Sequence, residues 1–263
     1  MTFNSARLIG PAIAGLTLAV FNEPVCFAIN AVSYIAAIIT LLKIRSAKPS
    51  VKRSSGSLLE ALDYFRAFPP ARWFVTTVAV TSICISPFMT FMPVYAKDIF
   101  KGGPDLLGTL LGASGAGALS VSIYIANRKS IEGSGKRIVL ASLVGGMASI
   151  CFAYNLFLSL ALPLLLVSGG AFIMSVTSCN ILLQTLVPEN LRGRVMALYM
   201  MSFVGMLPIG SLLYGSLAKY IGSVKPVFVI AGVISLAYAC LLIRVMPNIR
   251  KLSLEALNSD KLG

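Results

Sequence analysis

The chain has 263 residues, of which 57% are hydrophobic and 12% charged, with a mean hydropathy of +0.87 and a formal net charge of +13. A soluble domain carries ~25% charged residues, and here the charges gather between long apolar stretches, so the composition excludes a water-soluble fold. The basic residues fall on short loops between those stretches, as retention on one membrane face requires, which argues against a nucleic-acid partner and for a lipid bilayer.

Eight apolar segments follow one another, at about 2–22, 24–42, 73–96, 105–126, 138–154, 159–187, 194–221 and 226–246. A hydrocarbon core needs ~20 apolar residues per helix, and amides in lipid must bond within their own segment, so these stretches are predicted to be helices. The first holds Arg7 ahead of a Gly-Pro pair and reads as a span, not as a cleavable signal peptide. Between the second and third lies the longest loop, 43–72. There Ser57 and Glu60 have capping-box spacing and Leu58, Leu62 and Phe65 share one helical face. A short amphipathic helix on the cytoplasmic surface is predicted, ended by Pro69-Pro70. The third span places Thr77, Thr81, Cys84, Phe88 and Tyr95 on one face, and the fourth carries Gly108, Gly112, Gly115 and Gly117, a surface for close helix packing. The fifth is short. In the sixth, Thr177, Asn180 and Gln184 share a face. After Met246-Pro247 the tail is polar and is expected to fray.

Seventeen Lys and Arg side chains lie in the loops 43–72, 127–137 and 187–194 and after residue 243, against four on the opposite side, Lys97, Lys101, Lys219 and Lys225. The first set marks the cytoplasmic face, and with eight spans both termini face the cytoplasm of a cell (plasma or inner) membrane. There is no histidine, and the cysteines Cys26, Cys84, Cys151, Cys179 and Cys240 sit singly in apolar stretches, so neither a disulfide framework nor a metal site is expected. No acidic residue lies inside a span. Without an acid–base pair, metal site or nucleotide-binding loop, the sequence does not read as an enzyme and calls for no cofactor.

An internal repeat relates the two ends. Ile9-Gly10-x4-Gly15 recurs as Ile209-Gly210-x4-Gly215, and Pro24-Val25-x-Phe27 is echoed by Pro226-Val227-Phe228. The first two spans thus resemble copies of the last two, and repeated halves are a mark of secondary transporters. In this register Arg7 matches Leu207, near the middle of its span, so the chain is expected to begin inside a helix.

Three stretches carry a family resemblance: Asn4-x2-Arg7-Leu-Ile-Gly10-Pro11-x3-Gly15 with the following Phe27-Ala-Ile-Asn30; Val187-Pro188-Glu189-x2-Arg192-Gly193-Arg194-Val195; and Pro208-Ile-Gly210-Ser-x3-Gly215. Over about residues 2–247 the chain resembles the major facilitator superfamily, in the branch of enterobactin-exporter-like, macrolide-efflux-like and other transmembrane secretion effectors. The resemblance implies an all-α membrane protein of about eight spans, corresponding to the fifth through twelfth helices of a twelve-helix carrier. Residues 1–42 would supply the last two helices of the N-terminal bundle, 43–72 a cytoplasmic linker, 73–247 the complete C-terminal six-helix bundle and 248–263 a cytoplasmic tail. The four helices expected before them would come from elsewhere, for example a separate partner chain.

The resemblance also implies roles. Gly10, Pro11 and Gly15 match an antiporter-like motif, with Ala14 where Gly is common; plain helix packing is the alternative. Arg7 is costly at mid-membrane and marks a pathway or a partner, or else it snorkels to the cytoplasmic face. Glu189, Arg192 and Arg194 form a cytoplasmic gate, or simply follow the positive-inside rule. Thr77, Thr81, Tyr95, Thr177, Asn180 and Gln184 belong to helices that line the central cavity in this family, with helix-to-helix hydrogen bonding the other reading. The expected function is export of a small amphipathic, drug- or siderophore-like substrate, coupled to an ion gradient. The alternative is a non-transporting fragment or scaffold that needs the remaining helices from a partner.

Overall fold

The structure, a computed structural model, describes residues 23–43, 58–128 and 133–259. The predicted first span, Ser57 of the capping box and the last four residues lie outside these. All regular structure among the described residues is helical. Helix α1 is Glu23–Lys43 and α2 is Leu58–Ala67. Helix α3 is Pro69–Val94, continued by a π-helical turn at Tyr95–Ile99. Then come α4, Pro104–Ala126; α5, Ser134–Ala153; and α6, Leu158–Leu186. Helix α7, Glu189–Met200, passes through a second π turn, Met201–Gly205, into α8, Met206–Ile221, and α9 is Lys225–Ser259.

Six helical units are long and apolar enough to cross a bilayer: Pro69–Ile99, Pro104–Ala126, Ser134–Ala153, Leu158–Leu186, Leu191–Ile221 and Lys225–Ser253. Helix α1 adds a shorter apolar stretch, Ala31–Lys43, whose described side chains, Ile35, Ile38 and Leu42 among them, are exposed.

Two boundaries differ from the sequence reading. Helix α2 ends at Ala67, just before Pro69 and Pro70 as expected, but those prolines also open α3 at its first turn, where a missing N–H costs nothing, so the third span begins four residues earlier than predicted. The tail is not frayed at Pro247. Helix α9 runs through that proline to Ser259, and Ile249 and Ser253 are buried one and two turns beyond it. Helix α2 forms where predicted, but Phe65 is buried and Tyr64 half-buried, and the helix packs against the N-terminal parts of α3 and α7. It therefore rests on the bundle, and its packing pushes the Tyr64 phenol above its ordinary pKa.

Lipid is as apolar as leucine, so close packing and internal hydrogen bonds, more than water exclusion, hold such a bundle together. Helices α4 and α6 meet at glycines: a Cβ on Gly117 would collide with the backbone carbonyl of Leu166, and one on Gly169 with that of Ser114. Helices α5 and α9 are tied by Ser149 Oγ donating to Phe228 O at 2.8 Å and Ser235 Oγ to Ser142 O at 2.8 Å. Helix α3 packs against α6, α8 and α9. Toward its far end Tyr95, Phe88, Phe152 and Phe228 form an aromatic cluster with ring centroids 4.7–5.4 Å apart.

Candidate substrate pathway

The two polar stripes read from the sequence lie in different surroundings. On α3, Thr77, Cys84, Phe88 and Tyr95 are buried and Thr81 is half-buried. Thr77 Oγ1 donates to Trp73 O at 2.7 Å and lies 3.1 Å from Tyr238 Oη of α9. Thr81 Oγ1 lies 3.3 Å from Ser175 Oγ of α6. Tyr95 Oη donates to Ala153 O at 2.7 Å within the aromatic cluster. This stripe faces the bundle interior, and its hydroxyls join helices.

Behind Thr81 is a cavity of about 30 Å³ between α3, α5, α6 and α9. Its polar lining comes from Ser142, Ser149, Ser168, Ser175 and Ser235 together with Thr81 and Cys84. That volume admits about one or two water molecules, and no molecule of drug size.

On α6 the stripe is open. Thr177 and Asn180 are half-buried and Gln184 is exposed. Gln184 Nε2 donates to Asn180 Oδ1, one turn back. Beside the stripe, the buried Tyr199 of α7 donates its Oη to Val176 O, one turn before Asn180, at 3.2 Å. The Tyr199 ring stacks on Phe203 at 6.3 Å, and Phe203 on Phe172 at 5.9 Å, which carries the contact through the second π turn to the cavity wall. Periodicity alone does not reveal Tyr199 and Phe203 as part of this arrangement, because they belong to a different span. The turn there widens from α to π geometry, a feature often found at functional sites.

The remaining site residues separate. Glu189 and Arg192 form an i,i+3 pair at 3.7 Å, with the carboxylate side chain 91% exposed, and the Arg192 guanidinium reaches Val187 O at 3.5 Å. Arg194 is half-buried two residues on. These residues open α7 on the face where the loop charges concentrate. Arg7, Gly10, Pro11 and Gly15 lie outside the described residues. Their repeat partners do not: Gly210 lies against Ser86 and the backbone of Ile83 on α3, whereas a Cβ on Gly215 would meet nothing within 4 Å.

A family model described as transmembrane secretion effector matches residues 1–261. The chain is 26% identical over 235 residues to the staphyloferrin A transporter of Staphylococcus aureus, covering 88% of this chain and 58% of that protein. It is also 26% identical over 255 residues to YfiS, an uncharacterized MFS-type transporter of Bacillus subtilis, covering 92% of this chain and 59% of that one. Among solved structures, a bacterial homologue of the lysosomal transporter Spinster, inward-facing and unoccupied, aligns with TM-score 0.48 and 13% identity over 86% of this chain and 57% of that one. The chain thus spans under two thirds of the length of the relatives it matches. The match over nearly all of its own length, on a multi-pass helical chain, places it in the transmembrane secretion effector family of major facilitator transporters.

Proposed function

We propose that these helices belong to a secondary active exporter that moves a small amphipathic molecule by alternating access, with both termini of the chain on the cytoplasmic side. The observation that carries this reading is the α6 stripe: the amides Asn180 and Gln184, on one helical face with Thr177, bond to each other along their own helix and stand half-buried or exposed. An amide in lipid is costly without a partner, so such groups belong at a wet, protein-lined space. The staphyloferrin A transporter directs the choice of substrate class toward siderophores. In this reading Arg7 provides the charge contact for an anionic cargo, and Glu189, Arg192 and Arg194 re-pair as the cytoplasmic side opens and closes. Gly10, Pro11 and Gly15 pack the first span against its neighbours.

The test uses everted membrane vesicles from cells expressing the carrier, energised with an imposed proton or sodium gradient and offered a radiolabelled carboxylate siderophore. Uptake into everted vesicles that falls at least fivefold in Gln184→Leu and Arg7→Ala, at unchanged protein level, is the expected result. Uptake only into right-side-out vesicles would reverse the direction, and equal uptake by vesicles lacking the chain would end the proposal.

A further inference from the structure

The cavity behind Thr81 is lined by two pairs of serines at seven-residue spacing, Ser142 and Ser149 on α5 and Ser168 and Ser175 on α6, together with Ser235 of α9 and Thr81 of α3. That spacing is about two helical turns, so each pair keeps to one face. A hydroxyl carries one proton and two lone pairs, and here the protons can be traced. Ser149 Oγ donates to Phe228 O, Ser235 Oγ to Ser142 O and Ser142 Oγ to Ile138 O. These three oxygens can then only accept further bonds. Thr81 Oγ1 and Ser175 Oγ share one contact at 3.3 Å, so one of their protons is used there and the other stays available. Ser168 is 3% exposed, and its Oγ makes no hydrogen bond to protein among the described residues. A buried hydroxyl left without a partner is costly.

We infer that this cavity is a built hydration site: water held there donates to the oxygens of Ser142, Ser149 and Ser235, accepts from Ser168 and the Thr81–Ser175 pair, and so joins α3, α5, α6 and α9 at one point. The volume of about 30 Å³ exceeds the ~10–15 Å³ that one water needs. The lining also offers more polar partners than the two to four a buried water uses. Because the lining supplies both acceptors and donors, its occupant must be both, and water is the small molecule that is. A bare sodium ion fits the size and the acceptors, but no carboxylate lines the cavity to balance its charge, and an isolated buried charge costs far more than a hydrogen-bonded neutral group. An apolar occupant would leave Ser168 unbonded. The site stands independently of whether the α6 stripe is a pathway.

Ser168→Ala separates a wet cavity from a dry one by the sign of its effect on thermal unfolding of the whole chain in lipid nanodiscs. With water in place the variant loses a hydrogen bond, and its midpoint should fall by about 2–4 °C, the shift one such bond brings in a chain of this size. In a dry cavity the same change removes an unbonded buried hydroxyl, so an unchanged or raised midpoint overturns the proposal. Radiolytic footprinting reads the water itself, because X-rays make hydroxyl radicals from water and these oxidise the side chains beside it. Cys84 and Phe172 line the cavity and should be oxidised in the nanodisc-embedded chain; Cys179 and Phe152, buried and not lining it, should not. Ser168→Val, which fills the space with methyl groups, should protect Cys84 and Phe172. Oxidation of neither, of all four alike, or of Cys84 and Phe172 despite Ser168→Val overturns the site. So does a midpoint raised by sodium over potassium at equal ionic strength in the unmodified chain but not in Ser168→Ala, since the cavity would then hold a cation.

Discussion

The stripe on α3 and the stripe on α6 both follow helical spacing and both carry polar side chains, yet they lie in opposite surroundings. On α3 the hydroxyls of Thr77, Thr81 and Tyr95 are spent on Tyr238, Ser175 and the Ala153 carbonyl, and the stripe fastens helices together. On α6 Asn180 and Gln184 bond to each other along the helix, and their outer surface stays open. The difference lies in the neighbours. Helix α3 is crossed by α6, α8 and α9, so a polar group on that side meets another helix. The α6 stripe begins about two turns beyond Gly169, past the tight crossing where α4 and α6 approach backbone to backbone at Gly117 and Gly169. Polar spacing identifies a face with work to do; the packing around it decides whether the work is adhesion or recognition.

The largest effect that follows is on the closed stripe. Tyr95→Ala removes the centre of the aromatic cluster and leaves the Ala153 carbonyl without its side-chain donor. Truncating a large buried aromatic costs about 3–5 kcal/mol, enough to prevent recovery of folded, monodisperse protein in detergent. A Tyr95→Ala variant with an unchanged thermal midpoint would show that the cluster is not a structural centre.

Next comes the close crossing of α4 and α6. At Gly117 an added Cβ meets the Leu166 backbone carbonyl, which cannot swing aside as a side chain can, while at Gly112 on the same helix it meets nothing within 4 Å. Gly117→Ala should therefore cost about 1–3 kcal/mol by overpacking. Gly112→Ala should be neutral or gain up to about 1 kcal/mol from helix propensity. Thermal unfolding of the two variants in parallel checks this, and equal midpoints would remove the close approach as a determinant.

The contrast between the stripes can also be read without destabilising the protein. In a background without native cysteines, Gln184→Cys and Asn180→Cys should react with a small maleimide, Gln184→Cys at least about tenfold faster than Thr77→Cys, since a thiol must ionise in water to react. Comparable rates at 77 and 184 would place both stripes on one continuous wet surface and dissolve the distinction.

How much of this was legible beforehand depends on what each residue needs from others. Helical class follows from apolar length alone: of the eight expected spans, six are long enough to cross among the described residues, the second is a shorter apolar helix and the first lies outside them, and the six sit within a few residues of their expected limits except at the far end of α9. The Thr and amide stripes were legible as faces, because 3.6-residue spacing is a property of one helix. Their environments were not, because burial is a property of pairs of helices: Tyr95 was expected on the pathway and lies instead in the packed cluster. The glycines of α4 illustrate the same limit, since Gly117 touches α6 and Gly112 does not. The π turn at Met201–Gly205 carried no sequence signal that propensity could supply, and Tyr199 and Phe203 became visible as partners of α6 only once α7 was placed beside it. Pro247 misled in the other direction. A proline followed by a polar tail reads as the end of order, yet the helix continues through it with Ile249 and Ser253 buried beyond.

The smallest expected effect on stability concerns Glu189, and its smallness is what makes it informative. The Glu189–Arg192 pair spans 3.7 Å within one helical turn, with the carboxylate facing water. Exposed pairs of this kind contribute roughly 0–1 kcal/mol, and i,i+4 helix pairs only ~0.3–0.5. Glu189 also stands in the first turn of α7, where a negative charge is favoured by the helix dipole by ~0.3–1 kcal/mol at low salt. Glu189→Gln should therefore lower the thermal midpoint by no more than a degree or two, and less at high salt. If Glu189, Arg192 and Arg194 serve only to hold the loop on the cytoplasmic side, transport by the carrier should change as little as stability does. If they re-pair as the cytoplasmic side opens, the same variant should alter the export rate severalfold while the midpoint stays put, because only one of two conformations loses a contact. Measuring both quantities on Glu189→Gln, with Arg192→Gln as its partner in a double-mutant cycle, separates the two. Strictly additive effects on export would leave the pair as a bystander at the mouth of α7, and coupling of 0.5 kcal/mol or more would make it part of the gate.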